Sequence, residues 1–188
     1  MFIQTESTPN PATLKFLPGL PVLEAGTADF PSEETAGRSP LARRIFAVEG
    51  VRGVFFGTDF VTVTKADGIA WDHIKPALLG AIMEHYQSGI PVMEGVAPQA
   101  GDGHRAHEGE DGDIVAQIKE LLDTRVRPAV AQDGGDITFH GFDRGVVYLH
   151  MQGACAGCPS STLTLKMGIE NLLRHYIPEV LEVRPVAA

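Results

Sequence analysis

The segment from residue 94 to residue 112 constrains the fold of this chain more than any other. It reads Glu94-Gly-Val-Ala-Pro-Gln-Ala-Gly-Asp-Gly-His-Arg-Ala-His-Glu-Gly-Glu-Asp-Gly112, which is dense in glycine and acidic residues and has no apolar period. Such a segment cannot bury enough apolar surface to offset the entropy of ordering it. We therefore predict a flexible linker over residues 94–111, which separates an N-terminal domain (residues 1–93) from a C-terminal domain (residues 112–188).

The composition indicates a soluble globular protein, with 44% hydrophobic and 21% charged residues. No apolar run approaches the roughly 20 residues that a membrane helix needs. The net charge of −9 argues against nucleic-acid binding, because phosphate contacts need clustered Lys and Arg. The N-terminus, Met1-Phe-Ile-Gln-Thr-Glu6, has neither secretory nor transit features. We expect a bacterial-type cytoplasmic protein, or a mitochondrial-matrix protein if this sequence is a mature form.

In the N-terminal domain, short extended segments and one long helical period predict an α+β fold. Prolines 9 and 11 exclude a helix near the start of the chain. We predict strands over residues 2–5 and 13–17, a helix over 40–48 capped by Ser39, and a hairpin of 51–56 with 60–64. The long helix that follows has apolar residues at three- and four-residue steps, namely Trp71, Ile74, Leu78, Ile82 and Tyr86. Trp71 is interpreted as a core residue of that stripe.

The C-terminal domain is predicted to follow the order α-β-β-α-β, a second small α+β unit. The expected elements are a helix from residue 114 that ends near Pro128, a hairpin of 137–142 with 146–151, a helix over 160–176 and a last strand over 180–184. The apolar stripe assigned to the second helix consists of Leu163, Met167, Leu172 and Tyr176. The fold class is thus two small α+β domains joined by a flexible acidic, Gly-rich linker.

Cys155 and Cys158 are the only cysteines in the chain, within Gly153-Ala-Cys-Ala-Gly-Cys-Pro-Ser160. The loop lies between a predicted strand and a predicted helix, so the helix N-terminus is expected to favour the thiolate form of both residues. A pair at this spacing can bind a metal, but it supplies only two of the four thiolates of a tetrahedral sulfur site. A second copy of the chain is the simplest source of the other two.

Three other interpretations of the pair remain open at this point. Two inert buried thiols are disfavoured because the pair falls in a Gly-flanked loop that opens a helix. A thioredoxin-like redox pair has the same Cys-x-x-Cys spacing, but here no tryptophan precedes it and the domain does not begin with a βαβ unit. A zinc ion shared across a dimer is the third, because thiolate ligands alone do not distinguish zinc from an iron–sulfur cluster.

The cysteine segment resembles a known family. Gly153-Ala-Cys-Ala-Gly-Cys-Pro-Ser-Ser-Thr162, preceded by Arg127-Pro-Ala-Val-Ala-Gln-Asp-Gly-Gly-Asp136, is similar to the C-terminal domain of NifU and of the Nfu proteins. Thr8-Pro-Asn-Pro-Ala-Thr-Leu-Lys-Phe-Leu-Pro-Gly19 resembles the opening of the N-terminal Nfu domain.

This resemblance implies a carrier, not an enzyme, that binds a [4Fe–4S] cluster between two subunits and delivers it to apo client proteins. Carriage of a [2Fe–2S] cluster is a further possibility. The family's ligands map onto Cys155 and Cys158. The implied partners are a second copy of the chain, apo iron–sulfur client enzymes and upstream cluster-assembly proteins, with neither nucleic acid nor membrane among them.

The remaining polar residues are given ordinary structural interpretations. His104 and His107 are interpreted as solvated linker histidines, and His150 as a strand histidine rather than a residue beside the cluster. Asp133 and Asp136 frame a glycine turn, for which a turn-forming role is favoured over metal binding. The pair Arg43-Arg44 is too short for a nucleic-acid patch.

Overall fold

The computed structural model describes residues 1–94, 112–156 and 159–186. The chain divides into two compact units, Met1–Ala100 and Gly101–Ala188. Each unit contains helices and a sheet, so the predicted class of two α+β domains is confirmed. The predicted linker over 94–111, with His104 and His107, lies outside the described residues except for Glu94 and stays a prediction.

The N-terminal unit is built on a five-stranded antiparallel sheet with the strand order β1-β2-β5-β4-β3. Its strands are β1 (Gln4–Ser7), β2 (Thr13–Leu17), β3 (Ala28–Phe30), β4 (Val51–Phe56) and β5 (Val61–Lys65). Its helices are a 3₁₀ segment (Glu33–Arg38), α1 (Pro40–Phe46) and α2 (Trp71–Ser88). Strand β3 and the 3₁₀ segment were not predicted; the strand has only three residues, which are too few to show an alternating pattern.

Local capping and one buried stripe account for the two helices of this unit. Ser39 Oγ accepts a hydrogen bond from the Ala42 backbone amide at 3.1 Å, and Pro40 occupies the first helical position, as predicted. Helix α2 buries Ile74, Leu78 and Ile82 against the core. Trp71 packs partly buried on that core, which confirms its assignment, and its Nε1 donates to the Pro11 carbonyl at 3.2 Å.

The C-terminal unit has a three-stranded sheet with the order β6-β7-β8. Its elements are α3 (Gly112–Leu121), a π-helical turn (Leu122–Val126), α4 (Arg127–Gln132), β6 (Gly135–Asp143), β7 (Val146–Gly153), α5 (Pro159–Tyr176) and β8 (Glu182–Val186). Strands β6 and β7 form an antiparallel hairpin, whereas β8 returns parallel to β7 after α5. The predicted order is therefore correct in outline.

The prediction that the first helix of this unit ends near Pro128 is wrong. The helix continues to Gln132, after a π-helical turn in which the Arg127 amide donates to the Leu122 carbonyl. The wider turn shifts the hydrogen-bond register, so Pro128 falls in the first turn of α4. A missing N–H costs nothing there, and the proline therefore does not end the helical segment.

The apolar stripe predicted for the last helix also faces the wrong way. Helix α5 buries Ile169 and Leu173, whereas Leu163 and Met167 are each 58% exposed. Leu172 is half-buried and Tyr176 is exposed. The helix carries apolar residues on two sides, and a helical period alone does not decide which side meets the sheet.

Candidate metal centre

The described part of the cysteine loop is a tight turn at the carboxyl end of β7. Gly153 has a φ of 62°, and the turn is closed by hydrogen bonds from the Cys155 amide to the Gln152 carbonyl (3.3 Å) and from the Ala156 amide to the Gly153 carbonyl (3.1 Å). The Ala154 amide donates to the Gly134 carbonyl at 3.2 Å, which ties the loop to the turn before β6. Helix α5 begins just beyond the loop, so the predicted position between strand and helix is confirmed.

The Cys155 thiol packs into the core of the C-terminal unit, with 6% of the residue's surface exposed. Its Sγ lies against the backbone of Gly135, where an added Cβ would be only 2.5 Å from the sulfur. The same Cβ would lie 2.9 Å from the Gln152 carbonyl oxygen. Only glycine at position 135 allows the thiol and the strand to approach this closely. Cys158 lies outside the described residues.

A buried ion-pair network holds the strand that backs the thiol. Arg127 binds both carboxylate oxygens of Asp136, with Nε to Oδ1 at 2.9 Å and Nη2 to Oδ2 at 3.0 Å. The third guanidinium nitrogen, Nη1, donates to Asp123 Oδ1 at 3.0 Å. Asp136 is almost fully buried and also accepts a hydrogen bond from the Ile137 amide. The network therefore connects the π-helical turn and α4 to the first residues of β6.

The pKa of the Cys155 thiol differs from the one expected for a cysteine near a helix N-terminus. Burial, together with the negative charges of Asp133 and Asp136, raises the pKa of the Cys155 thiol to about 12. The predicted preference of Cys155 for the thiolate form is therefore wrong, because burial and the two carboxylates act against it. A cation at the sulfur reverses that balance, because a coordinating thiol is deprotonated by the metal itself.

The two aspartates of the predicted turn have different roles. Asp133 lies in the turn, as predicted, where its amide donates to the Val130 carbonyl at 3.1 Å and the following Gly134 has a φ of 81°. Asp136, in contrast, is the second residue of β6 and the partner of Arg127, so its turn assignment is wrong. No role was predicted for Arg127. The signal that could have identified it is the four-residue helical spacing from Asp123.

Among the residues that the structure describes, the other candidates do not complete a ligand set at this loop. His150 is a residue of β7, as predicted, paired with Thr138, and its buried Nε2 has no hydrogen-bond partner among the described residues. Within residues 1–94, 112–156 and 159–186, no group of three or more His, Cys, Asp or Glu side chains could hold a metal ion. The described side chains of one chain therefore do not form a complete metal site.

Fold and loop together define a two-domain α+β protein with a cysteine loop between a strand and a helix, and comparison with known proteins identifies its family. Residues 3–89 match the model described as scaffold protein Nfu/NifU N terminal, and residues 118–184 match the NifU-like domain. The chain belongs to the Nfu/NifU family of scaffold proteins, as the resemblance predicted.

Several curated relatives align along almost the whole chain. NifU-like protein 5, mitochondrial, from Arabidopsis thaliana is 56% identical over 96% of this chain and 66% of its own length. NifU-like protein 4, mitochondrial, from the same plant is 56% identical over 96% of this chain and 64% of its own length. NFU1 iron-sulfur cluster scaffold homolog, mitochondrial, from Homo sapiens is 52% identical over 99% of this chain and 72% of its own length. The chain spans slightly less than two thirds of the two plant relatives.

These relatives correct the predicted location. The expectation of a bacterial-type cytoplasmic protein is wrong, because all three relatives are named as mitochondrial and align over 96–99% of this chain. No helix among the described residues is both long and apolar enough to cross a membrane.

Proposed function

We propose that this chain carries an iron–sulfur cluster as cargo and passes it to apo client proteins. Cys155 and Cys158 are the proposed ligands, and two chains together supply the four thiolates that a [4Fe–4S] cluster requires. The observation that carries the proposal is the single cysteine pair of the chain, which lies in the loop between β7 and α5 within the segment that matches the NifU-like domain. In keeping with the names of its relatives, we propose that it acts in mitochondria.

The surroundings of Cys155 support cargo binding over thiol–disulfide catalysis. A reactive redox cysteine needs an accessible thiolate, but Cys155 is buried, and this burial, with the nearby carboxylates, keeps the pKa of its thiol high. A metal, unlike a disulfide substrate, brings the positive charge that makes this position favourable. The proposed role is therefore that of a carrier without catalytic turnover.

A cluster held between two chains is well suited to transfer. Each chain contributes two ligands, so client thiolates can replace them stepwise, and separation of the chains exposes the cargo. The second chain is not an incidental contact in this scheme, because the ligand set is incomplete without it.

Anaerobic reconstitution with iron and sulfide tests the proposal. We expect a brown protein with about four iron and four sulfide per two chains, at the mass of two chains. A colourless protein with about half a zinc per chain would support the zinc dimer instead. A reversible disulfide between Cys155 and Cys158 with turnover and no metal would support a redox protein.

Serine substitutions of the two cysteines assign the ligands. We expect Cys155→Ser and Cys158→Ser each to abolish stable cluster binding while the far-ultraviolet circular dichroism of the chain stays unchanged. Cys155→Ala separates the loss of the sulfur from the introduction of a hydroxyl into the core. If either serine variant keeps the full iron and sulfide content, the proposed ligand set is wrong.

A further inference from the structure

Helix α5 presents an exposed apolar surface directly after the cysteine loop. Leu163 and Met167, one turn apart, are each 58% exposed, whereas the buried side of the helix is formed by Ile169 and Leu173. Since a helix rises about 1.5 Å per residue, these two side chains lie about 6 and 12 Å along the axis from the helix start at Pro159. The surface is therefore next to the proposed cargo.

This surface is also poor in charge. Residues 159–165 contain no charged residue, although exposed helix surfaces ordinarily carry several. The next charged side chains, Lys166 and Glu170, are 26% and 22% exposed and pair with Glu182 and Arg174. Thr164 and Gly168 are exposed beside Leu163 and Met167, and together the four residues form what we name the α5 outer face. Depletion of charge around large apolar side chains is characteristic of the centre of a protein–protein interface.

Gly168 provides a second, independent observation. A Cβ at this position would meet no atom within 4 Å, so nothing within the described chain requires a glycine there. Glycine inside a helix is less favourable than alanine by about 1 kcal/mol. A glycine on an exposed helix surface does, however, allow the backbone of another helix to approach closely.

We propose that the α5 outer face is the contact surface for a second copy of this chain. The inference rests on the proposed function: two chains that share one cluster must meet around the cysteine loops, and the α5 outer face is the apolar surface that begins there. The occupant is a second copy rather than a client, because the two missing thiolates are needed whenever the cargo is held.

The test compares two exposed apolar residues of the same domain. Met167→Glu places a charge on the α5 outer face. Leu181→Glu is the matched control, since Leu181 is 64% exposed and its amide donates to the carbonyl of Gly145, in the turn before β7. Leu181 therefore lies at the end of the sheet away from the cysteine loop, about 23 Å along β7. Both variants keep Cys155 and Cys158.

Full-length wild-type protein and both variants are reconstituted anaerobically, and the two-chain dissociation constant is measured by sedimentation equilibrium. We expect Met167→Glu to raise that constant at least about tenfold, as for central interface residues, and Leu181→Glu to change it less than about twofold. Equal effects of both variants, or no effect of Met167→Glu on a loaded two-chain form, would overturn the inference while the carrier function stands. Failure of the wild type to hold iron and sulfide would remove both.

Gly168→Ala provides a second measurement that does not depend on an introduced charge. We expect the melting temperature of the C-terminal domain to rise by about 4–8 °C, because alanine favours the helix. We also expect the two-chain form to weaken, because the new methyl group separates the two helices. A more stable domain with unchanged two-chain association would contradict close approach at Gly168.

If Met167→Glu slows transfer to a client without changing the mass of the loaded form, the α5 outer face binds the client and the inference is wrong.

Discussion

Two ion pairs of nearly equal length, one in each domain, show how differently the two halves use charge. In the N-terminal domain, Arg43 Nη2 lies 3.0 Å from Glu94 Oε2, and the two side chains are 49% and 52% exposed. In the C-terminal domain, Arg127 Nε lies 2.9 Å from Asp136 Oδ1, with side chains 19% and 4% exposed. The surface pair is screened by water and contributes little to the free energy of unfolding. The buried pair, in contrast, cannot lose one partner without leaving an unpaired charge in the core.

The cores of the two domains also differ. The N-terminal domain buries a continuous apolar cluster between its sheet and its helices, with Phe16, Phe30 and Phe56 at its centre. The C-terminal domain also has an apolar core, but Cys155, Asp136 and the Gly135 backbone lie at its edge. Buried charge and backbone close approach are thus combined where the cargo is proposed to bind.

The largest difference between the domains is expected from removing one arginine of each pair. We expect Arg127→Met to lower the free energy of unfolding of the C-terminal domain by about 3–5 kcal/mol, because the Asp136 carboxylate stays buried without its bidentate partner. Arg43→Met should cost less than about 1 kcal/mol in the N-terminal domain. Urea unfolding separates the two, because Trp71 is the only tryptophan and its fluorescence follows the N-terminal domain, while circular dichroism follows both.

The double variant Arg127→Met with Asp136→Leu is the control for this comparison. Since it removes both charges, it should recover much of the lost stability. Equal small losses for Arg127→Met and Arg43→Met would show that burial does not distinguish the two pairs.

A smaller effect is expected from adding one methyl group at a glycine in each domain. At Gly135 the new Cβ would collide with Cys155 Sγ and with backbone, so Gly135→Ala should destabilise the C-terminal domain by about 1–3 kcal/mol. Gly80 lies within α2, and a Cβ there would meet nothing within 4 Å. Gly80→Ala should therefore stabilise the N-terminal domain by up to about 1 kcal/mol.

The Gly135 variant also has a chemical readout. In a Cys158→Ser background, Cys155 is the only thiol, and its rate of reaction with a disulfide reagent reports its exposure. Gly135→Ala should increase that rate, because the collision displaces the thiol from the core. An unchanged rate together with unchanged stability would show that the loop absorbs the methyl group.

The smallest effect concerns the pH dependence of the N-terminal domain. His85 of α2 is fully buried, and neither ring nitrogen has a hydrogen-bond partner among the described residues. Burial, with the nearby Arg44 charge, lowers the pKa of His85 below its ordinary value of 6.5. The unfolded chain therefore binds this proton more readily, so His85 reduces stability progressively as the pH falls below about 6.5. Glu84 pairs with Arg44 at 3.6 Å, but the pKa of His85 is still lowered.

Asp29, in the same domain, changes the pH dependence of stability in the opposite direction. Burial raises the pKa of Asp29 from 3.8 to about 6, against the opposing charge of Arg38, so Asp29 adds stability as the pH falls from about 6 toward 4. The difference between wild type and His85→Leu, followed by Trp71 fluorescence in urea from pH 7.5 to 5, isolates the histidine. The variant should lose less stability than the wild type on acidification, and parallel curves would exclude a role for His85.

The elements that the sequence predicted well are those whose pattern is local. Ser39 followed by Pro40 predicted the start of α1, and the spacing of Ile74, Leu78 and Ile82 predicted the buried side of α2. The hairpin of β6 and β7 and the loop that holds Cys155 were also predicted. Each of these depends on neighbours within a few residues, which the sequence displays directly.

The predictions that were wrong concern features that depend on contacts between residues far apart in the sequence. The continuation of the helix through Pro128 depends on a π-helical turn, and the orientation of α5 depends on which of its two apolar sides packs on the sheet. The Arg127–Asp136 pair joins α4 to β6, and the raised pKa of Cys155 results first from its burial in the core and then from the nearby charges of Asp133 and Asp136. No local period encodes these contacts.

The sequence by itself determined the two α+β domains, the family and the single cysteine pair, because composition and motifs can be read along the chain. Tertiary structure alone decided that Cys155 is buried against Gly135, that Asp136 is held by Arg127, and that Leu163 and Met167 remain on the surface. Burial and close approach are properties of packing between elements, and the free energy of a charge or a thiol depends on that packing rather than on its position in the sequence.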